Sequence, residues 1–142
     1  MTMPKPSHAD IEKLLKVMVL PFCRIERDII LPYSNRRWEN DAEHSWSVAF
    51  LACTLAPQID PSLDVGKIAQ YAIAHDLVEV YADDTSTFAS QEKLASKEKR
   101  EAAALARIAE EFAHFPWIVQ TITEYEHKGS DEAKFVYALD KY

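Results

Sequence analysis

His75 and Asp76 stand side by side at the end of an apolar run, Tyr71-Ala72-Ile73-Ala74. An imidazole nitrogen beside a carboxylate is a donor pair suited to Mn, Fe, Co, Ni or Zn. A carboxylate in apolar surroundings needs a cation or strong hydrogen bonds. His44 adds a second imidazole on an apolar stripe, and Asp140 follows Ala133 and Val136 at helical spacing. Taken singly, each has an ordinary explanation: a capping residue, a hydrogen-bonded core histidine, a charge at a helix end. Together, two His and two Asp on the inward faces of three helices make an N2O2 donor set for one divalent ion. Glu79 comes one helical turn after Asp76. It is placed to orient or deprotonate a water at such an ion. Asp84 follows in the loop beyond, beside Asp83.

The elements that must position these residues read as helix after helix. Ser7 caps a first helix over about residues 9–20, ended by Pro21. Residues 22–38, with Pro32 and Asn35, read mostly as loop. Asn40 caps a helix to about Ala56, with His44, Val48, Leu51 and Leu55 on one stripe. Pro57 and Pro61 bracket the connection that follows. Asp64 caps a third helix to about Tyr81, with Ile68, Ala72, His75 and Glu79 sharing a face. A polar loop over 83–89 leads to a long helix, about 91–113, with Leu94, Ala102, Leu105 and Ile108 inward. Pro116 opens a helix to about His127, and Ser130 caps the last. No alternation of apolar residues marks a strand. The expected fold is all-α, a single helical domain over residues 1–142.

Composition narrows the chemistry. Only Gly66 and Gly129 occur among 142 residues, which argues against a glycine-rich phosphate loop. Phosphate, if bound, must be met by a metal or by Arg and Lys. The net charge of −7 disfavours stable nucleic-acid binding. Cys23 and Cys53 form no C-x-x-C pair and read as reduced thiols of a cytoplasmic protein. No segment approaches the roughly 20 apolar residues of a membrane span.

The runs Glu39-Asn40-Asp41-Ala42-Glu43-His44-Ser45-Trp46, Ala74-His75-Asp76-Leu77-Val78-Glu79, Glu124-Tyr125-Glu126 and Leu139-Asp140-Lys141 carry a further signal. In this order they resemble the HD-domain metal-dependent phosphohydrolases, and within them the 5′-deoxynucleotidase branch. The likeness covers about residues 37–142. It implies an HD-domain bundle of about six helices, with a C-terminal helix that continues past Tyr142. It implies one divalent metal (Mn, Co, Fe, Ni or Zn, with Mg a further candidate) held by His44, His75, Asp76 and Asp140. Glu79 matches the acid that positions the attacking water, Asp84 an acid near the leaving group or sugar, and Arg37 a basic residue near phosphate. Lys93 and Lys97 are further candidates for neutralising phosphate charge.

The implied reaction is loss of phosphate from deoxynucleoside 5′-monophosphates, by a homodimer or larger assembly. A triphosphate-releasing hydrolase of deoxynucleoside triphosphates and a non-catalytic metal- or nucleotide-binding module are the alternatives. Two positions depart from the family pattern. Asp83 stands where a Gly is usual, and Thr85-Ser86-Thr87-Phe88 replaces a proline-containing loop.

Overall fold

A computed structural model describes residues 2–32, 35–83 and 89–142. Its elements fall into two compact groups. One gathers residues 1–41 and 78–116, the other 42–77 and 117–142. The fold is mostly helical, as expected.

In the first group, Ser7 and Asp10 form a capping box that opens α1 (His8–Lys13). The helix then widens into π-type turns over Leu14–Val19 before α2 (Leu20–Phe22). Pro21 therefore does not end the helix. It has no N–H to give and its ring presses on the preceding turn, a strain that wider turns relieve. Residues 22–38 are not all loop either. β1 (Glu26–Ile30) pairs antiparallel with β2 (Trp38–Asn40), with Glu26 opposite Asn40, Ile30 opposite Trp38 and an irregularity between. The ribbon buries little apolar surface, so no alternation marked it. Its base is held by Arg27, whose guanidinium lies 3.4 Å from Glu39 and 3.7 Å from Asp41.

α5 (Glu79–Ala82) packs on α6 (Gln91–Glu111) in the same group. Arg100 donates to the Ala82 carbonyl at 2.6 Å, to Ser96 Oγ at 3.1 Å and to the Lys93 carbonyl at 3.0 Å. Tyr81 donates to Glu111, and the Arg107 guanidinium lies 3.9 Å from the centre of the Tyr81 ring. The buried face of α6 is Ala104 and Ile108, while Leu94 is exposed.

α5 ends at Asp83, which has φ 60° and ψ 157° and donates its N–H to Glu79. That backbone state suits glycine, the residue the resemblance leads one to expect here, and strains a residue with a Cβ. We expect Asp83→Gly to raise stability by about 1 kcal/mol, read as a higher urea midpoint at unchanged slope. An unchanged or lower midpoint would contradict the assignment of strain.

The second group holds most of α3 (Asp41–Ile59), α4 (Val65–Ala74), α7 (Pro116–His127) and α8 (Asp131–Asp140). α3 runs on through Pro57 and ends two residues beyond it. Its inward stripe is Val48, Ala52 and Ala56; Leu51 and Leu55 are exposed. Small residues let helices approach closely, so this inner face is set by alanines rather than by the larger leucines. Ile68, Tyr71 and Ala72 of α4, Tyr125 of α7, and Ala133 and Val136 of α8 complete the core. Asp64 caps α4 through the Lys67 N–H at 3.1 Å, and Ser130 caps α8 through the Ala133 N–H at 3.1 Å.

The third helix does not reach Tyr81 unbroken. At Leu77 the N–H reaches back three residues to Ala74 at 3.1 Å instead of four, and residues 75–78 form turns. The unbroken helical face expected to join His75 to Glu79 is therefore interrupted.

Candidate metal centre

Three buried stripes lead to one point. His44 continues the Val48, Ala52, Ala56 row of α3 at four-residue steps. His75 continues the Ile68, Ala72 row of α4, and Asp140 the Ala133, Val136 row of α8. Asp76 follows His75 in the turn that closes α4. All four belong to the second group, and one donor atom from each lies within 4.8 Å of the others.

The distances have the scale of a coordination sphere. His44 Nε2 is 2.7 Å from Asp140 Oδ1 and 3.8 Å from Asp76 Oδ2. His75 Nε2 is 3.2 Å from Asp76 Oδ2 and 3.3 Å from Asp140 Oδ1. Ligands about 2.0–2.2 Å from a shared ion stand roughly 3–3.5 Å from one another.

His75 is oriented from behind. Its Nδ1 is 2.7 Å from the Ala72 carbonyl, which can only accept, so Nδ1 carries the proton. Nε2 then faces the carboxylates, yet it is buried and neither oxygen is aligned for a hydrogen bond. A carbonyl behind one ring nitrogen and carboxylates before the other is the arrangement that fixes a metal-binding tautomer. Tyr125 stands edge-on to the His75 ring at 5.7 Å, and the His44 ring lies at 5.4 Å.

Electrostatics agree with a cation-seeking cavity. Burial by itself would lower the His75 pKa. The Asp76 charge and the contact with Asp140 outweigh it and push the ring up to about 10. Burial would raise Asp140, but the hydrogen bond with His44 and the closeness of the His75 ring hold its carboxyl far below the usual range. Without an ion, the cluster keeps a proton between nitrogen and carboxylate. The donor set, two imidazoles and two carboxylates, fits a divalent transition metal.

The other expected residues belong to the first group of elements or fall outside the described residues. Glu79 is buried and opens α5, in the first group. Asp84 lies outside the described residues. Arg37 is exposed just before β2, and its carbonyl accepts from the Leu31 N–H at 3.0 Å. Lys93 is exposed in the first turn of α6, where Lys97 lies 3.6 Å from Glu101. These three basic residues also belong to the first group.

The sequence reading missed Lys141, whose Nζ is 3.1 Å from Asp140 Oδ2, and the ring contact of Tyr125 with His75. It also missed Arg100 as the tie between α5 and α6. A lysine directly after a ligand aspartate was the one signal available for the first.

A mostly helical fold in which a His, a His-Asp pair and a later Asp converge is that of an HD domain, and the family model described as "HD domain" matches residues 24–142. The chain belongs to this family. It is similar in structure to a predicted metal-dependent phosphohydrolase from Magnetospirillum magnetotacticum MS-1, at 33% identity and a TM-score of 0.77, over 99% of this chain and 70% of that one. It is also similar to a conserved hypothetical protein from Pyrococcus furiosus, at 28% identity and TM-score 0.69, over 92% of this chain and 75% of that one. A protein from Pyrococcus horikoshii OT3 matches at 30% identity and TM-score 0.69, over 92% and 72%. No curated protein sequence matches the chain.

Proposed function

We propose that this HD domain is a metal-dependent phosphohydrolase acting on deoxynucleoside 5′-monophosphates. One observation carries the hydrolase reading: a buried imidazole nitrogen, its ring fixed from behind, faces two carboxylate oxygens within 3.3 Å with no aligned hydrogen bond. The phosphohydrolase named among the structural relatives supports the same class. The nucleotide substrate rests on the sequence resemblance.

In this reading His44, His75, Asp76 and Asp140 hold one divalent ion. When bound, such an ion supplies Lewis acidity to a phosphoryl oxygen and lowers the pKa of a water. Glu79 takes up the proton of the attacking water and keeps its oxygen in line with the scissile bond. Asp84 returns a proton to the leaving 5′-oxygen, and Arg37, Lys93 and Lys97 offset phosphate charge.

The protein works in the cytoplasm as a homodimer or larger assembly. Support for the assembly comes from α3, which has no Asp, Glu, Lys or Arg from His44 to Ile59. Trp46 and Phe50 stack on its outer face, 67% and 58% exposed. In a chain of net charge −7, two copies meet with least repulsion through such a face. Among the described residues no helix is long and apolar enough to cross a membrane.

The test is product analysis on metal-stripped protein given Mn, Co or Mg with deoxynucleoside mono- or triphosphates. Nucleoside and phosphate from the monophosphates is the expected result. Nucleoside and triphosphate would move the assignment to a triphosphohydrolase. A metal-loaded protein with no product would make the domain a binding module.

A further inference from the structure

The charge at the metal centre leaves a problem for any phosphoester substrate. Two carboxylates and two neutral imidazoles around a divalent ion sum to zero, in a chain of net charge −7. The set therefore carries no net positive charge of its own toward a dianion.

One ammonium in the second group touches the donor set. Lys141 Nζ is 3.1 Å from Asp140 Oδ2, while Asp140 Oδ1 faces the two imidazoles. The two oxygens of one carboxylate thus have separate duties. Lys141 is the C-cap of α8, with its N–H shared between the Tyr137 and Leu139 carbonyls. Its Nζ also lies 5.2 Å from the Tyr137 ring centre. A second ammonium, that of Lys128, stands 4.9 Å from the same ring and donates to the Tyr125 carbonyl at 3.2 Å. The Lys141 side chain is 58% exposed and Asp140 10%, so the ammonium sits at the solvent edge of the buried donors. Of its three N–H groups, Asp140 needs one.

We infer that Lys141, steadied by Asp140 and Tyr137, is a further phosphate-binding cation of this centre, beside the basic residues proposed above. The inference rests on the phosphohydrolase reading for its substrate but not for its anion. An ion pair with so exposed a lysine, if it were only that, would contribute little to stability, and replacing it would leave anion affinity unchanged.

The experiment uses the full chain loaded with Mn²⁺ and inorganic phosphate as probe. Binding is read from paramagnetic broadening of the phosphate ³¹P resonance, and metal content is measured in parallel. Lys141→Met is expected to keep its Mn²⁺ and weaken phosphate binding about tenfold, the loss typical of one charge-assisted hydrogen bond at a partly exposed site. Lys141→Arg is expected to restore most of it. Equal affinity in Lys141→Met and wild type overturns the inference, as does a wild-type Mn²⁺ protein that binds no phosphate. If phosphate binding depends on Lys141 but no phosphoester is turned over, the cation role stands and the hydrolase reading falls.

Discussion

An Asp76→Ala protein is expected to leave dialysis without stoichiometric metal and to hydrolyse phosphoesters no faster than background. Removing a group that only orients a ligand already costs 10- to 100-fold in metal affinity, and Asp76 is placed as a ligand itself. Its Oδ2 is the donor nearest to His75 Nε2, at 3.2 Å. Without it the buried ring has lost the charge that favours a cation beside it. The core of Ile68, Ala72, Ala133 and Val136 is untouched, so circular dichroism should report a folded chain. Metal content by mass spectrometry and initial rates would be measured on the same sample. Full metal content in the alanine protein would remove Asp76 from the donor set.

Glu79→Gln separates metal holding from turnover. The residue is buried at the start of α5 and lies on none of the three stripes that carry donors. A carboxylate is costly to bury and is retained where its charge has a task. Glutamine keeps the shape and gives up the proton-accepting capacity. The expected result is normal metal content with kcat lower by about 10²–10⁴, the usual worth of a positioned base. A Glu79→Gln protein that loses its metal would show that the residue supports the donors instead.

Much of the centre was legible because helices write their inner faces into sequence. His44, His75 and Asp140 each extend a row of apolar residues at helical spacing, and a ligand-type residue on such a row stands out. Helix starts were legible where a side-chain cap sits next to them, as at Ser7, Asp64 and Ser130. What failed was whatever depends on partners distant in the chain. The pairing of β1 with β2 rests on backbone bonds and on Arg27, which leave no periodic trace. Leu51 and Leu55 share a helical stripe with His44 and Val48 in the sequence, whereas Val48, Ala52 and Ala56 line the close contact. The tightening at Leu77 follows no breaker residue; neither Gly nor Pro occurs between Ala74 and Ala82. Asp83 shows the reverse: the departure from a family glycine was visible, and the positive φ gives it a physical cost.

The four residues proposed to hold the ion stand at positions 44, 75, 76 and 140, on three segments remote from each other along the chain. A bound ion is therefore also a clasp. It ties three stretches of backbone to one point and removes from the unfolded ensemble the freedom of the long loops between them. Stripping the ion would do more than silence the chemistry. It would speed the opening of the helical core, and a protease would feel the chelator before a spectrometer did.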